Sequence, residues 1–390
     1  MTGAPRTASP RRRPRDRRAQ VVAAAADLFA RRGYHAVGMT EIAEAVGVRA
    51  SALYRHFAGK QELLRAVFDE SFGMINETMP ELNTDHLDDT LLRIADYALQ
   101  HRHFGVLWLR EARHLNEENL RALTRAFDRL KADTFIRIQA MRPSLSHTSV
   151  GMVTWPVLSV PSSISFHEIE LPHEEYRRLL ADMLLNLLDA RIPEDLQPEP
   201  DPEPVGLMPK SRREALLGHA IRLFAKDGFT EVSNEDIGAA VGISGPSIYN
   251  HFEAKKDLIV TAGRRALGWL FMDLGHVLRT SSTAEEALRR LVPHYIRYAL
   301  EHHELLQVVI NERLQTGDQG RQLKWEYVAE WTHLMQQVHP RMDLATAQIR
   351  VHAAFNVAHD AHRTRWVRHS ATPEVLREVF HRILLLPEKA

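Results

Sequence analysis

The chain has 390 residues, 50 Lys/Arg against 50 Asp/Glu, and a hydrophobic fraction of 44%. That length implies two to three domains, and that balance is typical of a soluble globular protein. With no cysteine, disulfides, thiolate catalysis and Cys-based zinc sites are excluded, and a cytoplasmic setting is expected. No run of about 18 uncharged apolar residues is present, so no membrane span and no membrane partner are expected.

Charge is spread unevenly. Residues 1–64 hold 12 Lys/Arg against five Asp/Glu, whereas residues 210–259 hold seven of each. A basic end on a neutral chain is an electrostatic footprint for phosphate. Residues 1–16 read as a basic, disordered arm. Arg6, Arg11, Arg12, Arg13 and Arg15 lead into Arg17 and Arg18, and on DNA such an arm tracks phosphates or enters a minor groove.

Residues 17–64 read as three short helices and the start of a fourth. The first runs from about Arg17 to Arg32 with Val22, Ala26 and Phe29 on one face, and Gly33 ends it. The second begins near Gly38, with Glu41 three residues on as a weak capping signal. Gly47 supplies a sharp turn, the third helix covers Ala50–His56, and Lys60 heads the fourth. A helix, a tight glycine turn and a second helix is the layout that lays the second helix in the major groove.

Residues 65–192 read as a helical regulatory domain, with apolar spacing of three and four over 91–113, 120–140 and 174–191. Trp155–Ile169, with two prolines and several serines, is expected to be partly irregular. Residues 193–210 carry six prolines and five acidic residues in 18 positions, which predicts an extended linker. Residues 211–259 repeat the first unit, with Ser233 and Asp236 forming a capping box. Residues 260–390 read as a second regulatory domain with helices over 284–302, 322–338 and 344–363. Pro143, Pro172, Pro293, Pro340 and Pro373 punctuate the helices, and no alternating strand pattern appears. The fold class is all-α.

The repeat is explicit. An offset of 195 places Phe29 on Phe224, Gly33 on Gly228, Gly47 on Gly242, Tyr54 on Tyr249, Phe57 on Phe252 and Lys60 on Lys255. At an offset of 201, Tyr97-Ala98-Leu99 meets Tyr298-Ala299-Leu300 and Glu111 meets Glu312. The chain is thus two tandem modules of one kind.

The base-facing chemistry sits on the third helix of each copy. Ala50 and Ser51, or Gly245, Pro246 and Ser247, are small enough to admit close approach. Arg49 suits guanine or phosphate, and Ser244 suits a helix cap. Tyr54, Arg55 and Lys60, with Tyr249, Asn250 and Lys255, suit phosphate. His56 and His251 complete the two surfaces.

Ile42-Ala43-Glu44-Ala45-Val46-Gly47-Val48 and Leu53-Tyr54-Arg55-His56-Phe57-Ala58-Gly59-Lys60-Gln61-Glu62-Leu63 resemble the N-terminal domain of TetR-family transcriptional regulators. Ile237-Gly238-Ala239-Ala240-Val241-Gly242-Ile243-Ser244 and Ile248 to Leu258 resemble it equally. The resemblance implies an operator-DNA partner, contacts from the third helix with the Tyr and Lys above, and repression relieved by a ligand. This chain departs from the family pattern in carrying two units. It also has Arg49 where a capping Ser or Thr is frequent and Gly238 where Ala is usual.

Two unequal readers in one chain predict an internal pseudo-dimer on unequal half-sites about 34–36 Å apart or a multiple; the rival is a homodimer of chains. A ligand cavity is expected in each helical bundle. Phe104, Trp108, Glu111, Met141 and Trp155 are the candidates in the first, and Asn311, Glu312, Trp331, His352, Asn356 and His359 in the second. Trp108 to Leu115 is similar to family regulators of lipid and acyl-CoA catabolism, which implies a small apolar or acyl-CoA-like effector. No phosphate loop, nucleophile elbow or His-Glu-x-x-His motif is present, so no catalysis, cofactor or metal is expected.

Overall fold

The computed structural model describes residues 14–78, 86–200, 207, 209–311, 317–363 and 367–387. Among them every regular element is helical, as the apolar periodicity predicts. The chain forms two compact units, Met1–Leu82 with Gln100–Leu130, and Asn83–Leu99 with Lys131–Ala390. This division does not fall in the linker.

The first unit contains α1 (Pro14–Arg32), α2 (Met39–Ala45), α3 (Ala50–Leu53) and α4 (Lys60–Thr78). It also holds α6 (Phe104–Arg110) and the start of α7 (Glu117–Met141). Its core is the apolar face read from the sequence: Val22, Phe29, Ile42, Leu53, Phe57 and Leu63 are all buried. Burying such side chains contributes roughly 1.5–3 kcal/mol each.

The second unit contains α5 (Leu87–Gln100), α8 (His147–Ser162) and α9 (His173–Leu188) from the first module. With them lie α10 (Arg212–Asp227), α11 (Asn234–Ala239) and a 3-10 helix over Gly245–Asn250, which form the second copy of the repeated unit. α12 (Lys255–Thr280), α13 (Ala284–Glu301), α14 (His303–Asn311), α15 (Gly317–Val338), α16 (Leu344–Asp360) and α17 (Thr372–Leu384) complete it. Helix α8 packs along α16, and α9 along α17. One apolar core runs through these four helices, including Val153, Val160, Leu184, Leu187, Val357 and Phe380. That shared core is why the helices of two modules fall in one unit.

Three expectations need correction. The pattern over 91–113 is broken by a turn at 101–103, so it forms α5 and α6. Trp155–Ile169 is not irregular at its start, because α8 runs through Pro156 and Pro161 to Ser162. A proline inside a helix costs about 3 kcal/mol, and the burial of nearly all of α8 offsets that cost. Pro293 likewise lies within α13 rather than ending it.

The linker also differs from a free spacer in its first half. Ser146 N–H donates to Glu194 O at 2.6 Å, Ser149 Oγ donates to Pro193 O at 2.6 Å, and Glu199 accepts the Ser370 N–H at 2.7 Å. Residues 193–199 are thereby strapped to the second unit.

Candidate nucleic-acid interface

Each copy of the repeated unit is built by local rules. Gly33 and Gly228 follow α1 and α10 at φ of 84° and 88°, and Gly47 and Gly242 turn the chain at 67° and 71°. Only glycine holds these angles without strain. Ser233 caps α11 as expected: its Oγ accepts the Asp236 N–H at 3.1 Å while Asp236 accepts the Ser233 N–H at 2.8 Å. The Ser233 hydroxyl also donates to Asp236 Oδ2 at 2.6 Å, and this bond, with that from the Ser233 N–H, holds the Asp236 carboxyl below its usual range. Gly38 starts α2 with no side-chain cap.

In the first copy, Leu53 and Phe57 point into the core, while Arg49, Ser51, Tyr54, Arg55 and His56 are exposed. Ala50 is half-buried, and Tyr54 retains 56% of its surface. α3 is shorter than expected and closes in a turn over residues 54–56. Arg17 and Arg18 of the basic stretch belong to α1: Arg17 donates to Val46 O at 3.2 Å, and Arg18 lies over the Phe57 ring at 5.2 Å. Arg6, Arg11, Arg12 and Arg13 lie outside the described residues, as does the Arg15 side chain.

The second copy is not a replica. Its recognition segment is 3-10 rather than α-helical. Pro246, Tyr249 and Asn250 are exposed, and Ser247 and His251 are half-buried. Ser244 stands at the N-cap but makes no capping bond; its hydroxyl lies 2.7 Å from that of Ser247. Gly245, expected on the DNA-facing surface, is buried against α11, where an added Cβ would lie 2.8 Å from Glu235 Oε1. Gly238 is explained by the same close approach, since a Cβ there would lie 2.7 Å from Ile243 O. The first copy holds Ala43 and Ala50 at these positions. The second helix-turn-helix is therefore tighter. Tyr249 is also engaged, accepting from Asn234 Nδ2 at 2.9 Å.

The two lysines act first inside the fold. Lys60 Nζ donates to Tyr34 O at 2.8 Å and Val37 O at 3.1 Å, with the ammonium 4.2 Å from the Tyr34 ring. Lys255 Nζ donates to Phe229 O and Val232 O, both at 2.6 Å. Each lysine clips the loop between the first two helices to the head of the fourth. Burial lowers the Lys60 pKa. The sequence pattern assigns these lysines only a phosphate role and carries no sign of the clip.

A second connection is equally invisible in the pattern. Arg110 on α6 donates to Phe29 O at 2.9 Å and Ala30 O at 2.6 Å, at the C-terminal end of α1. Its neighbour Glu111 accepts from Arg110 Nε and from the Tyr34 backbone N–H. Glu111 therefore faces the loop after α1 rather than a ligand cavity. In the second copy Gln307 of α14 donates to Ala225 O at 2.9 Å. The Ala30–Ala225 match is visible at the 195-residue offset, but nothing in the sequence marks Arg110 or Gln307 as their partners.

The remaining ligand candidates separate. Phe104 and Trp108 form an aromatic group in the first unit with Phe72 and Phe127, the Trp108–Phe127 ring centroids being 4.8 Å apart. Met141 and Trp155 belong to the second unit, where Trp155 is buried in the core. Trp331 packs edge-on to Phe355, Tyr295 stacks on Phe355 at 4.0 Å, and His359 Nε2 meets the Tyr295 hydroxyl at 2.6 Å. The His352 ring lies 4.7 Å from that of His167. Trp331 and His359 thus belong to one packed aromatic cluster, and Asn356 faces α8 instead of a cavity. The Asn311 side chain and Glu312 lie outside the described residues. Among the described residues no group of three or more His, Asp or Glu could hold a metal ion, and no helix is long and apolar enough to cross a membrane.

Comparison with known proteins agrees with the duplicated unit. The model of the family "Bacterial regulatory proteins, tetR family" matches residues 21–67 and again 216–262. The HTH-type transcriptional activator FasR of Mycolicibacterium smegmatis is 54% identical over 57 residues, 14% of this chain and 26% of that protein. The HTH-type transcriptional repressor KstR2 of the same organism is 35% identical over 102 residues, 26% of this chain and 49% of that protein. The solved structure of the ketosteroid transcriptional regulator KstR2 of Mycobacterium tuberculosis aligns at 20% identity and a TM-score of 0.41, over 45% of this chain and 94% of that one. The matched stretches thus span about a quarter and about half of the two curated relatives.

Proposed function

From a chain that carries two TetR-type DNA-binding domains in tandem, we propose a sequence-specific transcriptional repressor that reads an asymmetric operator as a single-chain pseudo-dimer. The observation that carries this is the pair of helix-turn-helix units, which share buried Phe57/Phe252 and Leu53/Ile248 but expose different residues. The first reader offers Arg49, Ser51, Tyr54 and Arg55, and the second offers Ser244, Pro246, Tyr249 and Asn250. Unequal readers suit unequal half-sites. The α8–α9 and α16–α17 pairs, one from each module, pack together within one compact unit, which favours pairing inside one chain over pairing between chains.

Release by a ligand is the regulatory part of this reading. The aromatic group around Trp108 sits on α6, and the same helix ends in the Arg110–Glu111 pair that grips α1 and Tyr34. A small apolar or acyl-CoA-like effector that displaces α6 pulls on α1 and the loop after it, which support the first reader. Occupancy of the site then sets DNA affinity by differential binding to two arrangements.

Genomic footprinting with copy-specific variants tests the reading. R49A/Y54F is expected to erase protection of one half-site and S247A/Y249F to weaken the other. A footprint that loses both halves equally with either variant would overturn the assignment of one reader to each half. A two-chain particle of the free protein in sedimentation would overturn the pseudo-dimer.

A further inference from the structure

A buried polar cluster crosses the α8–α16 packing and belongs to neither reader. Both helices begin in the same way, with Pro143 three residues before the cap Ser146 and Pro340 three before the cap Asp343. That register is an offset of 197, and it makes Ser159 the counterpart of Asn356 and Ser163 the counterpart of Asp360. One counterpart pair, Ser159 and Asn356, meets across the packing, while the Ser163 hydroxyl turns back to Val160 O at 2.7 Å. Asn356 Nδ2 donates to Ser159 O and Ser159 Oγ at 3.0 Å and to Ser162 Oγ at 3.2 Å. Ser159 Oγ donates to Asp360 Oδ2 at 2.7 Å, and Asn356 Nδ2 lies 3.3 Å from the same oxygen. Ser159 and Asn356 are 3% and 6% exposed. The register makes the two helices equivalent in sequence, but their side chains differ: one face presents hydroxyls, the other an amide and a carboxylate.

The chemistry of like pairing differs sharply. A buried carboxylate needs donors, and an unpaired one is strongly destabilising. Pairing the α16 face with a second α16 face removes the Ser159 hydroxyl from Asp360 and buries two such carboxyl groups in one packing. Pairing the α8 face with a second α8 face sets serine against serine and leaves unfilled the space that Asn356 and Asp360 occupy. Only the unlike pair both fills the site and satisfies its polar atoms. The strap agrees with pairing inside the chain: Glu199, 11 residues after α9 ends at Leu188, accepts from Ser370 N–H and Oγ just before α17.

We infer that Ser159, Asn356 and Asp360 form a selectivity key that makes the α8 face pair with the α16 face of its own chain and rejects either face's pairing with a copy of itself, Ser163 being the position in the first module that corresponds to Asp360. The inference rests on the single-chain pseudo-dimer proposed above and supplies its specificity. Repulsion against the wrong partner, together with attraction to the right one, is how buried polar groups set pairing.

The test uses four full-length chains, read by sedimentation velocity over a range of concentrations and by thermal melting. S159N/S163D gives both faces the amide and the carboxylate, N356S/D360S gives both faces serine, and the quadruple variant exchanges the key between modules. The wild-type chain is expected to sediment as one chain. S159N/S163D is expected to melt about 3–6 °C lower and to open or self-associate. N356S/D360S is expected to form two-chain particles as concentration rises. The exchanged chain should regain a single-chain state and most of the lost melting temperature. A wild-type chain that is itself a two-chain particle would overturn the pseudo-dimer. A single-chain wild type that S159N/S163D matches in both readouts, or an exchange that restores nothing, would overturn the key alone.

Discussion

Glu111 accepts the backbone N–H of Tyr34 at 2.9 Å, across 77 positions of chain. The carboxylate is almost fully buried and also receives Arg110 Nε, while Arg110 reaches the last carbonyls of α1. One side-chain pair on α6 thus fixes both the end of α1 and the loop that aims α2.

Removing one member of this pair leaves the other charge buried and alone. E111A is expected to destabilise the first unit by about 3–5 kcal/mol. E111Q, which keeps an acceptor for Tyr34, is expected to cost less, about 1–3 kcal/mol. Thermal or urea denaturation measures both, and equal stability of E111A and wild type would contradict the role.

The lysine clip predicts that Lys60 matters to the protein without DNA. K60M removes two hydrogen bonds to loop carbonyls, and a loss of about 1–2 kcal/mol is expected in the free protein. A substitution that changes DNA affinity while leaving the free protein's melting untouched would return Lys60 to a purely phosphate-binding role.

Copy-specific packing predicts an asymmetric response to alanine. A methyl at 238 meets Ile243 O at 2.7 Å and Ser244 C at 3.0 Å, so G238A is expected to cost about 1–3 kcal/mol and to weaken the second half-site. The first copy already carries alanine at the matching position 43. Footprints of G238A should shorten on one side only.

Stability should fall in mild acid. His352 and His359 are pushed down to about 3, chiefly by burial and then by the charge of Lys324. His362 is pushed down to about 3 as well, by burial and by Arg363. Unfolded, each titrates near 6.5, so the unfolded chain binds more protons below that pH. The stabilisation is complete above about 6.5 and is lost progressively as pH falls toward about 3. Buried Asp360, whose pKa is raised, works in the opposite sense. Melting curves from pH 7.5 to 5 should show the decline, and H359Q should flatten it; an unchanged slope would exclude His359 as a source.

The basic arm predicts a salt effect confined to DNA binding. Since α1 begins at Pro14, deleting residues 1–13 removes Arg6, Arg11, Arg12 and Arg13 and leaves the helix. The slope of log affinity against log salt should become shallower by roughly 0.9 for each phosphate that the arm neutralises. An identical slope would show that the arm does not touch phosphate.

What the sequence by itself determined was local or repeated. The four turn glycines, the Ser233–Asp236 capping box and the buried faces of the first helices were all readable. A positive φ, an i to i+3 hydrogen bond and a 3.6-residue period each act within a few residues. The 195-residue register then transferred each from one copy to the other. The tertiary structure alone decided the rest. It set Lys60 on loop carbonyls 23 and 26 residues away, turned Glu111 toward Tyr34, and packed Gly245 against Glu235. It carried α8 through two prolines and placed Asn356 against Ser159, 197 positions apart. These outcomes come from close packing and from the need of every buried donor and acceptor for a partner. A side chain's neighbours in sequence do not say which distant partner it will find.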